Sequence, residues 1–295
     1  MNKTEVMKTL EAAGGEMTRR TYLRHGIPEP MFGVRYADIY KLVKRLGTND
    51  KLADQLWRTG NHDARIVATM IADPGAATAS TIDTWAKTVD NQLLVDAIAG
   101  YAAKSALAER CLAKWTKSKN EWLAATGWHL LSTLAIATDS PISNDELRAH
   151  VATIEQNIHD SPNRVRHSMN GALIACGSRI PRDAKAAARR IGKVDVDHGD
   201  TSCKTPDALQ YIEKMALRAS KKKATAAKKK QAQRKTTTKK KTAKSTTAKR
   251  TSAKRPSKKV AKKATKKATK KKPARKAVAK TTAKKKSTPK KTKKR

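Results

Sequence analysis

Leu56–Trp57–Arg58–Thr59–Gly60–Asn61–His62–Asp63–Ala64–Arg65 is the stretch that decides the fold. A Leu–Trp pair closes one amphipathic helix, Gly60 interrupts it, and Asn61, a strong N-cap residue, opens the next. The arrangement recurs. Asn61, Asn91, Asn120 and Asn163 each follow an amphipathic helix and each open another, at spacings of 30, 29 and 43 residues. The helices before them carry Trp57, Trp85, Trp115 and Ile154 as large apolar anchors, and the helices after them are predicted over Asn61–Ala72, Asn91–Ala103, Asn120–Ala137 and Asn163–Gly177.

A helix pair of this length cannot bury its own apolar face, so pairs at this period are expected to stack into an all-α, HEAT-like α-solenoid. A four-helix bundle or an irregular helical packing is the alternative that periodicity leaves open. No run of alternating β-branched residues suggests a strand. Before the first repeat, helices are predicted over Lys3–Ala13, ended by Gly14–Gly15, over Met17–Arg24, ended by Gly26–Ile27–Pro28–Glu29–Pro30, and over Val34–Leu46, ended by Gly47. In the third of these, Val34, Ile39, Leu42, Val43 and Leu46 share a face, with Lys41, Lys44 and Arg45 elsewhere.

Charge divides the chain in two. Of its 66 Lys and Arg, 36 lie at or after Lys221, where no acidic residue follows Glu213; residues 1–220 hold the other 30 against all 25 Asp and Glu. We therefore predict a folded domain over 1–218 and a tail over 219–295 that is disordered in isolation, because blocks such as Lys262–Lys263–Ala264–Thr265–Lys266–Lys267 offer little apolar area and repel one another. Duplex DNA carries one charge per about 1.7 Å, so 36 cations can neutralise about 60 Å of it. Lys221, Lys222 and Lys223 open this run, and neither aromatic residues nor Gly interleave it, which points to phosphate contact and away from base stacking. Such a tail would hold the protein on DNA while the domain searches. A solubilising tail or an anchor on anionic lipid is the competing reading, but no amphipathic helix or lipidation signal accompanies the charge.

Three scattered cysteines, Cys111, Cys176 and Cys203, suit a reducing interior better than a disulfide framework. Charges at Lys3, Glu5, Lys8 and Glu11 argue against a secretory signal, and the best apolar run, Leu130–Ala137, is too short to span a membrane and is interrupted by Ser132 and Thr133. A cytoplasmic, nucleoid-associated monomer with duplex DNA as its partner, no membrane partner and no cofactor is the expectation. In the second helices of the pairs, Arg65, Arg164, Arg166 and His167 fall in first turns, where free N–H groups attract anions, which makes them candidate DNA phosphate contacts; pairing with Asp63 or Glu155 is the competing role. The segment Asp195–Val196–Asp197–His198–Gly199–Asp200–Thr201–Ser202–Cys203 gathers potential zinc ligands but no second pair at a recognised spacing, so a polar connector is favoured and no metal is predicted. A Cys203–His198 nucleophile lacks an orienting third group, and no phosphate-cradling Gly loop is present.

Gly33–Val34–Arg35, the stretch 56–65 quoted above, Ala68–Thr69–Met70–Ile71–Ala72–Asp73–Pro74, Val95–Asp96, Ser168–Met169–Asn170–Gly171–Ala172–Leu173–Ile174 and the run from Val194 to Pro206 together resemble the bacterial DNA alkylation repair family. The likeness covers about Tyr22–Lys214, and the tail looks like that of a linker histone. The resemblance implies HEAT-like-repeat DNA glycosylases that remove positively charged N-alkylated purines, with a carboxylate near the damaged nucleotide and aromatic and Arg residues around it. Such a carboxylate would stabilise oxocarbenium character on the sugar. Asp96 matches its position and is the catalytic candidate. Its surroundings depart from the pattern: Gln92 stands where a Trp is expected, the Arg is replaced near Ala125, and the second Trp falls near Gly171. Trp122 and Trp128 could supply an aromatic face from another angle, although helical spacing suits them to a core. A non-catalytic, histone-like or DNA-shape-binding relative is the alternative to an enzyme.

Overall fold

The Asn residues act where the sequence places them in three of the four turns. In a computed structural model that describes residues 1–218 together with 220, 221 and 225, the side chains of Asn61, Asn91 and Asn120 accept from the N–H groups of Ala64, Leu94 and Leu123 at 3.1, 3.1 and 2.9 Å. Each bond satisfies one of the donors that a helix start leaves free. Asn49 does the same for Leu52 at 3.0 Å. Lys221 is exposed, while Lys222, Lys223 and nearly all of the predicted tail lie outside the described residues.

Asn163 departs from the expectation. Pro162 holds the cap position with φ −56° and ψ 156°, and Asn163 becomes the first helical residue. Its side chain is then free to donate to Asp197 O and to accept from Asp197 N–H, both at 2.8 Å, while Arg164 N–H finds Glu121 Oε1 at 2.7 Å. Proline favours this outcome because its fixed φ suits a helix boundary and it has no N–H to satisfy.

The helices are α1 (Lys3–Ala13), α2 (Glu16–Arg24), α3 (Tyr36–Leu46), α4 (Asp50–Trp57), α5 (His62–Ile71), α6 (Ala79–Lys87), α7 (Gln92–Ala102), α8 (Ala108–Trp115), α9 (Glu121–Ile136), α10 (Asn144–Asn157), α11 (Asn163–Cys176) and α12 (Pro181–Ile191), followed by a last helix over 208–218. Among the described residues no strand forms; Gly14 and Val34 make one isolated antiparallel bridge. The pairs α4/α5, α6/α7, α8/α9 and α10/α11 stack so that α5, α7, α9 and α11 lie side by side as an inner row.

Burial explains the stacking. Leu94, Val95, Ile98 and Ala99 of α7 are fully buried, as are Leu130, Leu131 and Ala135 of α9, because each inner helix has neighbours on both flanks and an outer helix behind it. Trp57 and Trp85 stack with ring centroids 4.8 Å apart, tying the first outer helices together, and Trp115 is fully buried in the next. Gly127 is required where α9 meets the end of α8: a Cβ there would stand 2.6 Å from Thr116 N.

Besides apolar packing of α1 and α3 and a bond from His62 N–H to Pro30 O at 2.9 Å, one carboxylate attaches the N-terminal segment. Asp63, fully buried in the first turn of α5, accepts from Phe32 N–H and Gly33 N–H at 2.7 and 3.1 Å through one oxygen and from Val34 N–H at 3.0 Å through the other. Gly33 turns the chain with φ +74°, and a Cβ on it would strike Arg19 N at 2.6 Å. Asp63→Ala should leave three buried N–H groups without a partner and lower stability by about 3 kcal/mol or more, read as a fall in the urea midpoint.

His62, beside it, is 3% exposed and held neutral: burial pushes its ring down to about 4. The unfolded chain takes up this proton below about pH 6.5 and the folded chain only near 4, so stability is constant above that window and falls as pH drops through it. The loss from this residue between pH 6.5 and 5 is about 2 kcal/mol. His62→Phe should remove that share of the slope in urea unfolding at the two pH values, leaving the contributions of His150 and His167, which burial also pushes down.

Candidate nucleic-acid interface

Asp96 stands on the inner row, one turn into α7, with its side chain 46% exposed. One turn earlier on the same face, Gln92 donates from Nε2 to Asp96 Oδ1 at 2.8 Å. From the neighbouring α9, His129 Nδ1 lies 3.4 Å from the same oxygen. The residue that replaces the expected Trp therefore grips the carboxylate, and a histidine faces it across the groove between the two helices.

Beyond this pair, the first turns of α9 and α11 meet. The Arg164 guanidinium lies over the Trp122 ring, 5.8 Å from its centroid, and both residues are half-buried. His167, one turn further along α11, packs edge-on against His198 of the following connector at 5.8 Å. Burial holds His167 below the ordinary histidine range; His198 and Arg164 push the same way, and Asp96 opposes them. A neutral His167 can accept or donate a hydrogen bond, and its Nδ1 has no partner among the described residues. On the other side of Asp96, Tyr36 and Tyr40 of α3, with ring centroids 6.1 Å apart, border a shallow cleft that also takes in Lys104; Tyr40 is 60% exposed.

The structure thus brings Asp96, Arg164 and His167 to one wall. Arg166, on the same turn of α11, is half-buried and its Nε has no partner among the described residues. Arg65 has a different place. Its side chain, 14% exposed, lies 5.3 Å from the centroid of the Trp57 ring, donates to Thr88 O at 3.3 Å and pairs with Asp90 at 3.4 Å, which makes it a strut between helix pairs. The partners weighed for the cations are occupied otherwise: Asp63 by the backbone of 32–34, Glu155 by Arg190.

Trp128 is core, 2% exposed and edge-on to His150, whereas Trp122 reaches the wall. His129 was missed, although a signal existed: it follows Trp122 by two helical turns and so shares its face. In the connector after α12, Asp197 Oδ1 accepts from Gly199 N–H at 2.8 Å and His198 Nε2 bonds Thr205 Oγ1 at 3.0 Å, so these polar groups satisfy one another locally. Asn163 and Asn170 of α11 hold the connector at Asp197 and Pro206. Among the described residues no group of three or more His, Cys, Asp or Glu converges as a metal site would require.

Comparison with known proteins matches this chain over residues 6–212 to the model of the DNA alkylation repair enzyme family. An uncharacterized protein of Listeria innocua serovar 6a is 29% identical over 221 residues, covering 72% of this chain and 96% of the relative. One from Listeria monocytogenes serovar 1/2a is 29% identical over 215 residues, covering 70% and 93%. A solved structure, described as a new family of proteins related to the HEAT-like repeat DNA glycosylases with affinity for branched DNA structures, superposes with a TM-score of 0.69 at 29% identity, covering 74% of this chain and 95% of that one. The stacked pairs are HEAT-like repeats, and this chain belongs to the DNA alkylation repair enzyme family.

Proposed function

We propose that this protein binds DNA along the wall made by α7, α9 and α11, and that it favours branched or distorted duplex over straight duplex. The observation that carries the reading is the state of Asp96. A carboxylate that stabilises an oxocarbenium ion must be free to approach the sugar. Here Gln92 bonds it and His129 faces it, so its charge is tied within the wall. That arrangement also weakens the repulsion an open carboxylate would exert on phosphates. Arg164 over Trp122 is left to meet the backbone, and Tyr40 offers an exposed ring to unstacked bases. The affinity of the structurally similar relative for branched DNA supports the same choice.

The predicted tail, with Lys221, Lys222 and Lys223 at its start, supplies a second, sequence-independent contact with phosphates, and its 36 cations make total affinity steeply salt-dependent. A monomer acting in the cytoplasm on nucleoid DNA is the setting this reading assumes.

Excision of N-alkylated purines is the second reading. The half-exposed Asp96, on the same wall as Trp122 and Arg164, favours it, since an aromatic face can hold a cationic base while the carboxylate acts on the sugar.

Binding and chemistry separate in one set of assays. The full-length protein should bind a four-way junction at least about tenfold tighter than a linear duplex of equal length at the same salt concentration, and Arg164→Ala should weaken junction binding by about tenfold. Asp96→Asn should change junction affinity by less than about threefold, well under 1.4 kcal/mol. Methylated duplex should release no base with either protein; release by the wild type that vanishes in Asp96→Asn would establish the second reading in place of the first.

A further inference from the structure

A cavity of about 530 Å³ opens where the two ends of the helical array approach each other. Its walls come from α2 and the turn after it, from the start of α3, from the first turns of α7 and α11, and from the connector over residues 198–204. Asp96 and Tyr40 do not line it, although Tyr36 and Leu93 stand between it and the cleft at Tyr40. The size lies in the range of small-ligand pockets.

The chemistry of the lining is asymmetric. Tyr22, Ile27, Tyr36 and Leu93 give it an apolar and aromatic side. Arg164 and Lys204 give it a cationic side, three histidines also line it, and no carboxylate does so among the described residues. Asp96 bonds Gln92 and Glu121 accepts from the Arg164 N–H, while Asp197 and Asp200 stand in the connector but do not line the cavity. The first turns of α7 and α11 both reach the cavity, and helix N-termini add positive potential there. Two wall residues also hold unmet hydrogen-bonding capacity, since Gln92 Oε1 and His167 Nδ1 are buried without partners among the described residues.

We propose that this cavity seats a single unpaired nucleotide bearing a 5′-phosphate, its base against the Tyr22–Tyr36–Leu93 side and its phosphate between Arg164 and Lys204. Flat aromatic rings and a dianionic phosphate are the two properties that such a wall complements together. The inference rests on the reading of this protein as a binder of branched DNA and adds to it: the feature recognised at a branch is a displaced nucleotide end. Neutral planar ligands leave the cations unused, and free inorganic phosphate leaves the apolar side empty.

Cys203 reports on occupancy. It lines the cavity and is exposed, whereas Cys111 and Cys176 are buried, with thiols pushed up to about 11 and about 12 by desolvation, so iodoacetamide at pH 8 should label Cys203 selectively. The test uses the full chain saturated with either a nicked duplex carrying a one-nucleotide 5′-phosphorylated flap or a blunt duplex of the same sequence. We expect the flap DNA to slow Cys203 alkylation at least threefold and the blunt duplex to leave it unchanged. Lys204→Glu, at an exposed position, should abolish the preference for flap over blunt DNA while both still bind. Binding of both DNAs with no protection, or with equal protection, would overturn the nucleotide seat and leave the branched-DNA reading standing; so would a Lys204→Glu protein that keeps its preference. Failure to bind flap and junction DNA more tightly than blunt duplex would overturn both.

Discussion

The carboxylate of Asp63 is the constraint on which the arrangement of this protein depends. It takes the N–H groups of three successive residues, Phe32, Gly33 and Val34, in a place where water cannot replace it. Burial pushes the carboxyl above its ordinary range, and the three donors oppose that shift without reversing it. The consequence is positional. With 32–34 fixed on the first turn of α5, the chain must deliver Tyr22 to its bond with Val34 O and must start α3 with Tyr36 facing the inner row. One buried acid thus sets where the N-terminal helices stand relative to the wall formed by α7, α9 and α11.

The rest of the body follows from burial passed along a row. No helix pair hides its own apolar face, so every pair needs the next, and the inner helices become almost wholly core on three sides. Only a narrow strip of each remains open. The strip presents Gln92 and Asp96 on α7, Trp122 and His129 on α9, and Arg164 and His167 on α11. A stacked array therefore converts a periodic sequence into a continuous surface, which suits an extended polyanion better than a compact ligand. The cavity at the junction of the two ends is the exception, because there the row is closed by α2 and by the connector that Asn163 and Asn170 tie down.

Much of this architecture was legible in the sequence because cap chemistry is local. Asn61, Asn91 and Asn120 bond the N–H three residues on, and nothing distant decides the matter. Asn163 failed the same reading because its partner, Asp197, is 34 residues away and Pro162 takes its place at the boundary. The wall was legible only in part, for a related reason. Arg65 and Arg164 hold similar positions in their helices, yet one is locked between Trp57, Thr88 and Asp90 while the other lies over Trp122 at the surface. Position along a helix gives the face; the neighbours that cover the face come from packing. Asp63 shows the same limit, since in the sequence it offered itself as a partner for Arg65 and in the fold it serves the backbone of another helix pair. The family likeness directed attention to Asp96 and Gln92; that Gln92 bonds the carboxylate and His129 faces it required coordinates.

Hydroxyl-radical footprinting of the full-length protein on a four-way junction tests the central claim most directly. The account predicts protection of Tyr40, Trp122, His129 and the first turn of α11, with the outer helices α6, α8 and α10 as reactive as in the free protein. Protection confined to residues 219–295, or to the outer helices, would contradict it, because DNA would then be held by charge alone or by the opposite face.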